Sequence, residues 1–198
     1  MKETQFVTAL NALKAGKLII YPTDTLYALG ADIYNEAAVR HVFEIKQRPY
    51  SIPLPIAVSS IEAMETVAYV NESARKLSEK YLPGPLTIIL KRKPILPDVV
   101  TGGGDTIAIR IPNHPIALKL LQRYGPLTAT SANIHKKTTP GNIKDILIQL
   151  HTVIPVFLDD GRLDGVPSTI IDLSSTTPRI IRQGSIAETE LREVMNHG

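Results

Sequence analysis

The sequence predicts an α/β fold with a mixed sheet, and three observations carry that prediction. Helix-like and strand-like segments alternate from one end of the chain to the other. No linker, internal repeat or low-complexity stretch separates them, so one layered domain over residues 1–198 is the simplest arrangement. The 198 residues are 43% hydrophobic and 21% charged, which supplies the apolar material for one core of that size.

Each element follows from local pattern. Phe6, Leu10 and Leu13 share one helical face, and Gly16 suits the left-handed cap that ends such a helix. Residues 18–21 form a short apolar strand. Asn35 caps a helix carrying Val39, Val42 and Phe43 on one side. Lys46 and Arg48 then fall on a turn stiffened by Pro49. Residues 54–58 read as a strand that Pro53 and Pro55 confine to a sheet edge or a strand start. Ser59 and Glu62 have the spacing of a capping box. Asn71 caps the next helix, which runs to about Tyr81 and stops before Pro83-Gly84-Pro85. Residues 86–91 and 106–111 are strands joined by a flexible glycine-rich loop at 101–105. Pro115 fits the first turn of a helix ending near Gly125. Residues 127–130 are a strand, and Pro140-Gly141 precedes a helix bearing Ile143, Ile146 and Leu150. Strands near Val156, Ile170 and Ile180 and a short helix after Ala187 complete the chain.

The composition narrows the function. A net charge of +3 permits a polyanionic partner without requiring one. No Trp and 5% aromatics leave no stacking platform for single-stranded nucleic acid. With no cysteine there is no disulfide frame, thiolate metal site or cysteine nucleophile. The five histidines, at 41, 114, 135, 151 and 197, lack ligand spacing, so no metal site is expected from side chains. No stretch approaches the roughly 20 apolar residues of a membrane span. The first residues read as a helix rather than a leader. A cytoplasmic protein that engages no membrane is the expectation.

Five stretches carry more chemistry than plain structure needs, each a strand end running into a loop. Tyr21-Pro22-Thr23-Asp24-Thr25 offers hydroxyls and a carboxylate after a strand, either for a ligand or to cap its own turn. Lys46 and Arg48 supply a point charge and a planar fork, suited to phosphate or carboxylate or simply to solvent. Arg110 sits in an apolar strand, so it is either on an exposed face or aimed into a polar cavity. Thr128 to Asn133 is a run of small, hydroxyl and amide side chains that lets a ligand approach the backbone. Ser168 and Arg182 stand at two further strand edges. No Walker loop, dinucleotide fingerprint or nucleophile elbow is present. A nucleotide would have to be held by scattered Lys, Arg, Ser and Asn.

Taken in order, Tyr21-Pro22-Thr23-Asp24-Thr25 with Leu29-Gly30, Lys46-x-Arg48-Pro49, Pro83 to Thr87, Arg110-x-Pro112, Ser131-Ala132-Asn133, Pro167-Ser168-Thr169 and Arg182-x-Gly184 resemble the YrdC family of threonylcarbamoyl-AMP synthases, also called TsaC. The resemblance runs from about residue 8 to 186, and with no second domain following it is to the short, single-domain form. It implies an open, twisted α/β sandwich around a basic concave cavity. It implies synthesis of threonylcarbamoyl-adenylate from L-threonine, bicarbonate and ATP, with Mg²⁺ accompanying the ATP and pyrophosphate released. The product would serve threonylcarbamoyladenosine formation on tRNA through downstream threonylcarbamoyl transferase proteins. By matched motif positions, Lys46 and Arg48 would be catalytic and hold the phosphates and the forming carbamate. Thr128, Ser131, Asn133 and Arg182 would meet the nucleotide. Thr23, Tyr27, Arg110 and Ser168 would meet threonine and bicarbonate. Asp24 stays open between turn cap and proton acceptor. The chain departs from the family pattern at Ala28, at Ala57 and at His135-Lys136. Two alternatives stand beside this reading. One is a YciO-like paralogue with another ATP-dependent role. The other is a module binding structured RNA, either tRNA or a double-stranded segment.

Overall fold

A computed structural model describes residues 3–196, so His197 lies outside the described residues. Helix α1 (Glu3–Lys14) buries Phe6, Ala9, Ala12 and Leu13 and closes before Gly16, whose φ of +69° is the left-handed cap the sequence anticipates. Strands β1 (Ile19–Pro22) and β2 (Tyr27–Gly30) make a fully buried antiparallel hairpin. Helix α2 (Glu36–Lys46) starts at Asn35, whose side chain accepts from the Ala38 N–H. Strand β3 (Ile56–Ala57) and helix α3 (Ile61–Val67) follow. The cap of α3 is Ser60, accepting from Ala63 N–H, one residue later than the spacing suggested. Helix α4 (Glu72–Tyr81) is capped by Asn71. Strand β4 (Leu86–Lys91) matches its predicted bounds, and β5 (Thr106–Arg110) lies beyond a single turn, α5 (Asp98–Thr101). Helix α6 (Pro115–Tyr124) carries its proline in the first turn and ends at Gly125. Strands β6 (Leu127–Thr128) and β7 (Thr130–Ser131), helix α7 (Ile143–Leu150), strands β8 (Thr169–Asp172) and β9 (Arg179–Arg182), and helix α8 (Glu188–Asn196) complete it.

The strands form two sheets. One is antiparallel, in the order β1-β2-β7; the other is mixed, in the order β6-β3-β5-β4-β8-β9. In the second, β3 runs parallel to β5 and β4 parallel to β8, while the other neighbours are antiparallel. The fold is therefore α/β with a mixed sheet. Of the two alternatives for β3, the strand start is the one observed: its prolines stand just before it, so its N–H groups stay available to both neighbours in the sheet interior. Two details differ from the sequence reading. The predicted strand at 127–130 is two strands, one in each sheet, with Ala129 between them. The segment near Val156 makes only an isolated bridge, Ile20 to Phe157.

Alternation along the strands positions the site. Ile88, Leu90, Ile107, Ile109 and Ile171 face the main core, packed with α2, α3, α4 and α7 residues such as Val42, Met64, Leu77 and Ile146. A second cluster joins α1, α6 and β1 through Phe6, Leu13, Ile19 and Leu120. Each such side chain contributes about 1.5–3 kcal/mol by leaving water. The opposite parity (Thr87 and Ile89, Ala108 and Arg110, Ser168 and Ile170) faces away from that core, into a cavity. Among the described residues no helix is long and apolar enough to cross a membrane.

Candidate active site

The cavity, about 650 Å³, opens between the two sheets. Thr23, Thr25, Tyr27, Ala28, Thr130 and Ser131 line it from the β1-β2-β7 side, and Thr87, Arg110, Ser168 and Arg182 from the mixed sheet. Arg48, Asn133 and residues 137–139 close one end, and 163–165 another.

The turn between β1 and β2 is built around Thr23. Its hydroxyl donates to Leu26 O at 2.6 Å and accepts from the N–H groups of Thr25 and Leu26, both at 3.2 Å. This fixes Asp24 toward Arg110. Arg110 Nη2 donates to Asp24 Oδ1 at 2.6 Å, and Nη1 donates to Thr25 Oγ1 at 2.9 Å. Of the alternatives at Arg110, the polar cavity is the one observed, and Asp24 is its buried counter-ion. Burial lowers the Arg110 pKa, and Asp24 acts against that shift.

Tyr27 is a hub. Its hydroxyl lies 2.7 Å from Gly161 O and 3.0 Å from Asp159 Oδ1, and it accepts from Asp160 N–H at 2.9 Å. Burial first, then the neighbouring aspartates, push its pKa up to about 12, so it stays a neutral phenol. Together with Gly165 N–H donating to Thr25 O, it straps the 159–165 loop against the threonine turn. Opposite, Thr87 and Ser168 hydroxyls meet at 2.8 Å, and Arg182 donates twice to Ser168 O. Gly184 makes that approach possible. A Cβ there would stand 2.4 Å from Pro167 O and from Thr169 N.

Lys46, Arg48, Ser131 and Asn133 do converge, but in an unexpected way. Lys46 is the last residue of α2, not part of a turn, and is 1% exposed. In its protonated form the ammonium donates to Ser131 O, to Asn133 O at 2.7 Å and to Asn133 Oδ1 at 3.2 Å, which occupies all three N–H bonds. Burial first, and Arg48 second, pull its pKa down to about 7. The Asn133 amide is equally committed. Oδ1 also accepts from Ser131 Oγ, and Nδ2 donates to Ile134 O and Lys137 O. Arg48 donates from Nε to Ile52 O and from Nη2 to Pro53 O, and Nη1 faces His135 Nδ1 at 3.3 Å. Burial and Arg48 hold His135 below its usual pKa, which leaves Nδ1 free to accept.

Two of the expected site residues do not line the cavity in this structure. Lys46 stands behind the Ser131–Asn133 loop and does not line the cavity. Thr128 is wholly buried: its hydroxyl donates to Leu29 O and accepts from Ala31 N–H, stitching the two sheets together. Thr23, Tyr27, Arg48, Arg110, Ser131, Asn133, Ser168 and Arg182 all reach the cavity. Thr25, Lys137 and Asp164 line it as well, beyond the site residues that the matched motifs imply. The Asp-Gly pairs at 160–161 and 164–165 were the available signal for a turn there. Asp164 is held by Arg162 at 2.6 Å, and among the described residues no carboxylate or histidine cluster forms a cage for Mg²⁺.

The comparisons with known proteins concern the chain as a whole. A threonylcarbamoyl-AMP synthase of Pyrococcus abyssi is 38% identical over 198 residues, covering 98% of this chain; the chain spans 58% of that relative's length. The crystal structure of P. abyssi Sua5 complexed with L-threonine superposes with a TM-score of 0.93, covering 99% of this chain and 58% of that one. The crystal structure of E. coli YciO superposes at 0.87 with 28% identity, covering 96% of this chain and 94% of that one. The family model described as Sua5_yciO_yrdC, telomere recombination, matches residues 11–184. With a model match over most of its length and relatives that share its fold, the chain belongs to the Sua5/YciO/YrdC family.

Proposed function

We propose that the chain synthesises threonylcarbamoyl-adenylate from L-threonine, bicarbonate and ATP. One observation carries the reading. The guanidinium groups of Arg48, Arg110 and Arg182 and the hydroxyls of Thr23, Thr25, Thr87, Ser131 and Ser168 converge on one cavity between the sheets. The relatives' name and the threonine complex of P. abyssi Sua5 supply the substrate class. Residues 1–198 act as one unit in this reading, since the main core draws on residues from Leu18 to Leu191.

The threonine amine attacks the bicarbonate carbon and water leaves, giving an N-carboxylate. A carboxylate oxygen then attacks the α-phosphorus of ATP, and the bond to the β-phosphate oxygen breaks with release of pyrophosphate. Every reactant but the amine is anionic, so the protein's task is orientation and charge neutralisation. Thr23, Tyr27, Arg110 and Ser168 face the amino acid and the forming carbamate. Arg48, Ser131 and Arg182 face the nucleotide, with Asn133 and Lys46 shaping the loop that presents Ser131. Mg²⁺ would accompany the phosphates of ATP and offset their charge. The mixed anhydride is consumed by acyl transfer to an amine, for which a tRNA adenosine is the proposed acceptor, delivered by transferase partners in the cytoplasm.

The test is pyrophosphate release from ATP with and without threonine and bicarbonate. Release that requires both is expected. Release that ignores either one overturns the assignment.

A further inference from the structure

The cations at this cavity are unequally committed. Arg48 is bound at Nε, Nη1 and Nη2, Arg110 lies against Asp24 and Thr25, and Arg182 donates twice to Ser168 O. Lys46 has no N–H to spare and lies behind the wall. Lys137 is different. It lines the cavity, its side chain is exposed, and among the described residues its ammonium has no partner.

Its backbone, in contrast, is fixed. Lys137 N–H donates to Ile134 O at 3.0 Å, and Lys137 O accepts from Asn133 Nδ2. Gln149 braces the same loop, accepting from Ile134 N–H and donating to Thr138 O. A free ammonium on an anchored base, beside the cavity-lining Thr138 and Thr139, is the chemistry of an oxyanion contact. We propose that Lys137 is the cation that meets the phosphate tail of the nucleotide, a role for which Lys46 has no donor left. The proposal rests on the reading of this cavity as an ATP site. Nearby His135 faces Arg48, which leaves Lys137 as the uncommitted cation of this loop at the cavity.

The experiment measures ATP and AMP binding by calorimetry, and the KM for ATP at saturating threonine, in wild type, Lys137→Ala, Lys137→Arg and Lys136→Asn. The last is a charge control at a neighbour with φ of +67°, a conformation Asn tolerates. Lys137→Ala is expected to weaken ATP by about tenfold, the loss of one charge-assisted contact, and AMP by less than about twofold. Lys137→Arg and Lys136→Asn should stay near wild type. Unchanged ATP affinity in Lys137→Ala, or an equal loss in Lys136→Asn, overturns the proposal. Wild type that binds ATP but shows no threonine-dependent turnover overturns the proposed reaction and leaves the Lys137 arm standing. Wild type that binds no ATP overturns both.

Discussion

Arg110 and Asp24 form an ion pair inside the fold, 2.6 Å apart in space and 86 residues apart in the chain, with 7% and 13% of their side chains exposed. The same Asp24 oxygen takes the Asn113 N–H at 3.0 Å, so the carboxylate ties the first hairpin to the end of β5.

Removing the carboxylate leaves a guanidinium buried without its counter-charge. Asp24→Ala should therefore cost about 3–5 kcal/mol, whereas Asp24→Asn, which keeps an acceptor, should cost less. Urea unfolding of both variants reads the difference. Equal stability of Asp24→Ala and wild type would sink the account.

Lys46 sets a pH dependence whose sign follows from its lowered pKa. Between about 7 and 10.5 an unfolded lysine keeps its proton while the buried one has released it. The unfolded state then binds more protons, so stability rises with pH across that window and is lost as pH falls toward 7. Relative to Lys46→Met, wild type should gain up to about 1.4 kcal/mol per pH unit. Denaturation at pH 7, 8 and 9 checks this, and parallel curves for the two proteins contradict it.

Thr128→Val keeps the shape and removes the hydroxyl between Leu29 O and Ala31 N–H. A loss of about 1–3 kcal/mol is expected, from stranding two buried backbone groups. The KM for ATP should not move. A raised KM with unchanged stability would return Thr128 to the nucleotide site.

Gly184→Ala inserts a methyl 2.4 Å from Pro167 O and Thr169 N, both backbone atoms that cannot swing aside. Strand β9 must shift, which strains the Arg182 contacts to Ser168 O. A cost of about 1–3 kcal/mol and a several-fold fall in turnover are expected. Wild-type turnover in this variant would show that the Ser168 geometry is not held from β9.

Much of this was legible because the signals were local. Asn35, Asn71 and Pro115 mark their helices through bonds or dihedrals made within a few residues. The site loops stood out as polar clusters at strand ends. Pro49 makes Lys46 read as a turn residue, whereas it ends α2. Yet Val39, Val42, Phe43 and Lys46 follow the spacing of one helical face, so the helix pattern itself carried the lysine inward. The Arg110–Asp24 pair and the crossing at Ala129 depend on how two distant hairpins meet, and no local pattern encodes that. The tightness at Gly184 is likewise set by a segment some fifteen residues away, whose approach no local spacing announces.

The crossing at Ala129 has a mechanical consequence. Residues 127–131 leave one sheet and join the other within a single residue, and Lys46 fastens the far end of that passage. Ser131 rides on one sheet and Ser168 on the other, so the span between them changes with any hinge-like swing of the two. A ligand touching both serines would add one more tie between the two sheets. Its binding should be felt as a rise in the melting temperature of the whole chain, growing with ligand concentration over its dissociation constant, so unlabelled protein and a thermal ramp suffice to rank ligands.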